Sequence, residues 1–227
     1  MKIVILAGGF GIGLREVFHG RPKHLAPING RPFLHYVIKL LKKNNLTDLV
    51  LAVGYLSSQI IDELGDGSRF GVSITYSIDR RPLGTAGSLK NAQKYLGTDF
   101  LTVNGDTYLD IDYQQLIAFH QKKQAEVTLV GTTKYKNKGL MLRVKNEKLL
   151  RLANEGELAN AGVYIFSPMI FKFIGAGEKS SLEQEILPLL LKKKKRIFVF
   201  KTNREYYDIG SPEHYQEAQQ RLGMHES

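Results

Sequence analysis

The 227-residue chain contains no cysteine. That excludes disulfides and thiolate metal sites, and it suits a reducing cytoplasm. No apolar run approaches the roughly 20 residues a membrane-spanning helix needs. The opening run, Lys2-Ile3-Val4-Ile5-Leu6-Ala7, is too short for a signal-peptide core and carries no cleavage pattern, so no leader and a cytoplasmic location are expected. The six histidines show no metal-ligand spacing. His120 falls on one predicted helix and His214 on the last, where surface or half-buried roles are expected. No G-x-S-x-G elbow supports a Ser-His-Asp mechanism.

Acidic residues are also scarce: 22 against 32 Lys and Arg, a net charge of +10. Nucleic acid, an anionic membrane surface and phosphorylated small molecules are the three partners such a charge attracts. The densest basic run, Lys192-Lys193-Lys194-Lys195-Arg196, closes a predicted amphipathic helix. Cations there complement the helix dipole, so a solvated helix end is expected. No zinc-finger spacing, RNA-binding aromatic motif or basic zipper accompanies the charge, so neither nucleic acid nor membrane is expected as a partner.

What is present is an alternation of strands and helices. Residues 2–7 read as a fully buried strand. Pro32 to Asn45 reads as a helix with Leu34, Val37, Ile38 and Leu41 on one face. Leu49–Val53 is a second buried strand, and Ser57 or Ser58 is expected to cap a short helix carrying Ile60, Ile61 and Leu64. Val72, Ile74 and Tyr76 alternate as a strand. Thr85–Leu96 is expected to be helical and Phe100–Val103 a strand. This pattern implies α/β architecture with a largely parallel sheet.

The second half is less regular. Asp112 is expected to cap a helix through Lys123, and strands are expected at Val127–Gly131, Leu140–Val144, Gly162–Phe166 and Ile197–Phe200. Ser180 with Glu183, or Ser181 with Gln184, could form a capping box before a helix that Pro188 should kink or shorten. Ser211-Pro212 opens a last helix. No linker or repeat stands out, so residues 1–227 read as one domain.

Four segments carry chemistry. Gly8-Gly9-Phe10-Gly11-Ile12-Gly13-Leu14-Arg15 leaves the first strand, and such a glycine cluster lets backbone amides approach a phosphate. It is not a dinucleotide fingerprint: Leu14 stands where the third glycine belongs, and the second strand ends at Gly54-Tyr55 without an acidic residue. It is not a P-loop, because no Gly-Lys-Ser/Thr follows. Arg21-Pro22-Lys23-His24 should be extended, projecting Lys23 from a rigid backbone. Asn104-Gly105-Asp106 and Tyr206-Tyr207-Asp208-Ile209-Gly210 both follow strands, so Asp106 should sit in the crevice beyond the sheet. Two such carboxylates can share one Mg²⁺ completed by substrate phosphates. Asp110 and Asp112 read as helix-entry residues.

The chain resembles the sugar-phosphate nucleotidyltransferase family. The resemblance rests on Leu6-Ala7-Gly8-Gly9-x-Gly11, Pro22-Lys23, Pro82-Leu83-Gly84-Thr85-Ala86-Gly87, Asn104-Gly105-Asp106, Asn160-Ala161-Gly162-Val163-Tyr164 and Asp208-Ile209-Gly210, in the family's order. The short form is similar to D-glycero-D-manno-heptose 1-phosphate guanylyltransferases. Through Leu64-Gly65-Asp66-Gly67-Ser68-Arg69-Phe70-Gly71 it also resembles N-acetylmuramate 1-phosphate uridylyltransferases; Asn104 to Asp112 tilts the reading to the heptose group. The resemblance implies an α/β, Rossmann-like nucleotidyltransferase fold with a mostly parallel mixed sheet flanked by helices. Leu6, Ala7, Gly8, Gly9 and Gly11 would hold the nucleotide, with Pro82, Gly84, Thr85 and Asn104 bordering it. Asp106 and Asp208 would hold Mg²⁺, and Lys23 would neutralise phosphate. Gly139, Glu155 and Asn160 would touch the sugar. The partners would be a nucleoside triphosphate, most readily GTP, and a sugar 1-phosphate. A homodimer is compatible with the resemblance, and the sequence leaves the oligomeric state open.

Two positions depart from the family pattern. Ile12-Gly13 replaces the usual Thr-Arg, and Glu155-Gly156 replaces Glu-Lys. Both remove positive charge from the reaction centre. Arg15 or another base could substitute, the acceptor could be unusual, or the protein could bind nucleotide with weak turnover.

Overall fold

The computed structural model describes residues 1–9, 20–134 and 139–222. In chain order the strands and helices are β1 (Lys2–Ala7), β2 (Pro27–Ile28), β3 (Arg31–Pro32), α1 (Phe33–Lys43), β4 (Asp48–Val53), α2 (Ser57–Leu64), β5 (Ser73–Ile78) and α3 (Gly84–Asn91). Then come β6 (Phe100–Asn104), β7 (Thr107–Leu109), α4 (Tyr113–Lys122), β8 (Val127–Thr132), β9 (Met141–Lys145), β10 (Lys148–Ala153) and β11 (Ala159–Phe166). The chain closes with α5 (Leu187–Lys192), β12 (Ile197–Thr202), β13 (Tyr206–Asp208) and α6 (Pro212–Leu222).

A nine-stranded sheet in the order β5-β4-β1-β6-β11-β8-β12-β10-β9 forms the spine. β5, β4, β1 and β6 are parallel, as expected of strands joined by helical crossovers. β11 runs antiparallel to both β6 and β8, while β8 and β12 are parallel. β1 reads as an unbroken apolar run because both its faces are covered. Ile3, Ile5 and Ala7 pack with α1 residues such as Leu34 and Ile38 on one face. Val4 and Leu6 pack with Ala86 and Leu89 of α3 on the other. Alternate side chains of one strand thus enter two cores, as the two-residue period dictates.

Several local expectations change. Neither Ser57 nor Ser58 caps α2: its N-cap is Leu56, in the left-handed region with φ 55°, and it makes no side-chain cap bond. Lys23 does not lie on an extended stretch but opens a 3₁₀ turn, Lys23–Leu25, directly after the extended Pro22. His120 is buried at 1 % exposure, with its Nδ1 2.8 Å from the Thr128 hydroxyl. Of the two proposed capping boxes, Ser181 makes the cap: Gln184 N–H donates to Ser181 Oγ at 3.1 Å, and Glu185 receives the Ser181 N–H at 3.0 Å. The turn that follows, Leu182–Ile186, is a π-helix that runs into α5, with Pro188 near the junction. A proline cannot donate to the preceding turn, and the widened turn accommodates it. Strands β7, β10 and β13 escaped the periodicity reading because each is short or half exposed.

The basic run behaves as a helix end. Lys192 is the last residue of α5, Lys195 Nζ donates to Glu126 at 3.1 Å, and the Arg196 N–H donates to the same carboxylate at 2.9 Å. Among the described residues, no helix is long and apolar enough to cross a membrane.

Asp112 caps α4 as expected, accepting the Gln114 and Gln115 N–H groups at 2.9 and 3.0 Å. Asp112→Ala is expected to lower stability by about 1 kcal/mol, read as a shift of the urea midpoint at unchanged slope.

Candidate active site

The C-terminal ends of β1, β4, β5 and β6 open onto one side of the sheet. Gly105, just past β6, donates its N–H to the Leu6 carbonyl at 2.9 Å, which ties the first strand's exit to the Asn104-Gly105-Asp106 turn. β13 pairs antiparallel with β7 and aligns Asp208 with Thr107. Ile209 N–H then donates to the Asp106 carbonyl at 3.0 Å. Two carboxylates about a hundred residues apart in sequence are thereby brought to one place.

Lys23, on the 3₁₀ turn, makes an ion pair with Asp106. Burial opposes charge on Asp106, yet Lys23 and then His24 hold its carboxyl below the usual range. Burial opposes charge on Lys23 as well, but the Asp106 carboxylate outweighs it and raises the ammonium's pKa. Asp208 is raised, first by burial and then by the negative charge of Asp106. Among the described residues Lys23 thus faces both carboxylates, and Asp208 remains under-compensated. A divalent cation would correct that imbalance with two oxygen ligands from protein and the rest from substrate, the pattern Mg²⁺ prefers. Among the described residues no group of three or more metal-type side chains forms a protein-only cage.

Two hollows meet here. The first, about 390 Å³, lies between Leu6, Gly8 and Gly9 on one side and Pro82, Gly84 and Thr85 on the other. The second, about 290 Å³, is bordered by Gly139, Asn160, Gly162, Glu183, Tyr206 and Asp208. Asn104 and Asp106 line both. Asn104 Oδ1 is buried without a hydrogen-bond partner among the described residues. Such an acceptor is costly unless something donates to it, which suits a hydroxyl-bearing ligand.

Glycines shape both walls. Gly84 has φ +69°, and a Cβ there would stand 2.5 Å from the Ser180 carbonyl oxygen. Gly162 has φ +68° at the register shift between Asn160 and Tyr164, and a Cβ there would meet Asn104 Nδ2 at 2.7 Å. The bulge it permits lets β11 close on Asn104 while Asn160 borders the second hollow.

A hydrogen-bond bridge joins the hollows. Thr85 Oγ1 donates to Glu183 Oε2 at 3.0 Å, and Tyr164 OH donates to Glu183 Oε1 at 2.9 Å. Asn160 Nδ2 in turn donates to Tyr164 OH at 2.6 Å. In sequence Glu183 shows only as a capping-box candidate with Ser180. Ser181 Oγ also donates to Oε2 at 3.2 Å, but Tyr164 and Thr85 lie about 20 and 100 residues away, so no local signal could reveal the bridge.

The remaining expected residues fall as follows. Ala7 is buried with its side chain in the core and lines neither hollow. Glu155 is exposed on the loop between β10 and β11 and also lines neither. Gly11 and Arg15 lie outside the described residues. Asp110 borders a separate surface hollow, and its N–H donates to the Glu205 carbonyl at 3.0 Å. Tyr206 and Tyr207 are both buried, and Tyr206 also lines the second hollow. His24, Asp79 and Ser88 line the first hollow without having been expected there.

Two adjoining hollows with a charge-poised junction suit a group-transfer enzyme that brings two anionic substrates together. The chain belongs to the Nucleotidyl transferase family, which matches residues 2–224. Enzymes of this family generally work with a divalent metal. The chain is similar to the D-glycero-alpha-D-manno-heptose 1-phosphate guanylyltransferase of Aneurinibacillus thermoaerophilus, with 35% identity covering 98% of each chain. It is 33% identical to the enzyme of the same name from Campylobacter jejuni, over 95% of this chain and 97% of that one. Among solved structures it resembles HddC from Yersinia pseudotuberculosis complexed with GMP-PN, at TM-score 0.86 and 28% identity over 97% of this chain and 99% of that one. A putative glucose-1-phosphate thymidylyltransferase from Bacillus anthracis, 21% identical with TM-score 0.86, shares the fold.

His24 supplies a pH signature. It is buried at 1 % exposure, and burial, followed by the Lys23 charge, pushes its pKa down to about 3. Above the unfolded value of about 6.5 both states are neutral and this histidine costs nothing. As pH falls from there towards the folded value, only the unfolded chain takes the proton, so stability drops by about 1.4 kcal/mol per pH unit. Urea unfolding between pH 4 and 7 should show this limb in the wild type and lose that share of the slope in His24→Gln. Equal slopes in the two proteins would reject it.

Proposed function

We propose that the chain transfers a guanylyl group from GTP to D-glycero-D-manno-heptose 1-phosphate, releasing pyrophosphate and yielding a nucleotide sugar for surface polysaccharide. The meeting of two hollows at Asn104 and Asp106, with Asp208 beside them in the second, carries the reading. Similarity over 98% of the chain to a heptose 1-phosphate guanylyltransferase supplies the substrates.

In this reading the larger hollow takes the nucleotide. Backbone amides of the loop after β1 approach the phosphates. The smaller hollow takes the sugar, with Asn160 and the backbone at Gly139 beside its hydroxyls. An oxygen of the sugar phosphate attacks the α-phosphorus of GTP. The new P–O bond forms as the bond between the α-phosphorus and the bridging oxygen breaks, and pyrophosphate departs with that oxygen. Such a transfer asks the protein for alignment and charge compensation more than covalent help. Lys23 offsets phosphate charge, and Asp106 and Asp208 would hold Mg²⁺, which would supply positive charge against the phosphate oxygens. The Glu183 bridge keeps the Thr85 turn and Asn160 in register, so the two substrates are held at a fixed separation.

Pyrophosphate release with Mg²⁺ tests the proposal across four nucleoside triphosphates and heptose, mannose, glucose and N-acetylmuramate 1-phosphates. The heptose–GTP pair should dominate; folded protein without turnover on any pair would reject an active enzyme. Asp106→Asn should lower kcat by about 10²–10³ with an unchanged circular dichroism spectrum. A full rate in that variant would remove the metal-holding role.

A further inference from the structure

A third hollow, of about 410 Å³, opens beside α1 and shares no lining residue with the two that meet at Asp106. Its inner wall is made of rings. Tyr36 is buried and held by its hydroxyl, which donates to the Ile28 carbonyl at 2.9 Å. His35 and Phe70 meet with ring centroids 4.7 Å apart. Burial, against the pull of Glu63, holds His35 below its ordinary pKa, so near neutral pH it is a flat uncharged ring. The rim is cationic. His35, Lys39 and Lys42 recur at spacings of four and three and so share one face of α1. Arg31 of β3 joins them, and all three cations are exposed. Gly71 has φ +70°, and a Cβ there would stand 2.5 Å from Lys42 Nζ, so this turn leaves the ammonium its place beside Phe70. Among the described residues no acidic side chain lines the hollow. Glu63, close by, is engaged with His35 Nε2 at 2.9 Å and Arg69 at 2.8 Å.

Like charges gathered on one helix face and strand end repel one another, and a bound anion relieves that repulsion. Phosphate matches this rim, because arginine offers it paired donors and each lysine a movable ammonium. Inorganic phosphate alone would leave the wall of rings facing water. A ligand that carries both a phosphate and a flat ring uses both parts, and a hollow of this size is in the range that encloses a small molecule. We propose that this hollow is a second, non-catalytic site for a nucleoside 5′-phosphate. Its phosphates lie among Arg31, Lys39 and Lys42, and its base lies against the wall formed by Tyr36, His35 and Phe70.

Calorimetry in metal-free buffer counts the sites, with GDP, guanosine and inorganic phosphate as probes. The double variant Lys39→Glu/Lys42→Glu should bind one GDP fewer per chain than the wild type, with GTP kcat/KM unchanged. Phe70→Ala should weaken the same site about 10-fold through the lost ring contact. Guanosine and inorganic phosphate should each bind there far more weakly than GDP. Equal site numbers in the wild type and the folded double variant would overturn the proposal. So would inorganic phosphate that binds as tightly as GDP, the mark of a plain anion patch. Turnover lost in step with the site would place the lysines in the catalytic machinery and overturn it as well. If the double variant does not fold, Lys39→Gln takes its place and should weaken the site about 10-fold; unaltered affinity overturns the proposal. Should the guanylyl-transfer reading fail, the wild type would bind one GDP and the double variant none, so the difference of one site tests this proposal alone.

Discussion

The site depends on one buried charge balance. Asp106 is part-buried beyond the sheet, and among the described residues Lys23 is its ion-pair partner and helps hold its carboxyl below the usual range. Asp208 lies close enough to feel that carboxylate, and among the described residues Lys23 and His214 offset it only in part. A buried ion pair of this kind adds little to stability, because desolvation cancels most of the attraction. It leaves a local negative excess at the junction of two hollows, beside Gly8 and Gly9 at the exit of β1.

The fold holds that balance through crossings remote in sequence. The Gly105–Leu6 hydrogen bond ties the first strand to the carboxylate turn. The β7–β13 pairing sets Asp208 beside Thr107 and hence near Asp106. The Gly162 bulge brings β11 against Asn104. Glu183 then links the two hollows through Thr85 and Tyr164. Misplacing any of these groups by an ångström would alter the approach of two substrates, to which transfer rates are steeply sensitive.

Much of this was legible in advance. β1 and β4 announced themselves as unbroken apolar runs because a strand covered on both faces has no polar side to show. The Asp112 cap was readable because a cap acts over two or three residues. The ordered motifs located Gly8, Lys23, Thr85, Asn104, Asp106, Asn160 and Asp208, and all of them line the two hollows. Local rules failed where a neighbour in space intervened. His120 looked like a surface residue of a helix, but β8 supplies Thr128 and buries it.

By itself the sequence determined the α/β class and the strand exits where Asp106 and Asp208 stand; the resemblance, not the local pattern, paired those two carboxylates. The first two follow from periodicity, glycine placement and residue type, which act over short stretches of chain. Only the tertiary structure decided which carboxylate Lys23 engages, that Glu183 on the second hollow bonds to Thr85 on the first, and that Asp79 lines the first hollow. Each depends on burial and on contacts between segments tens to nearly two hundred residues apart, where the electrostatic cost of a charge is set by the whole surrounding fold.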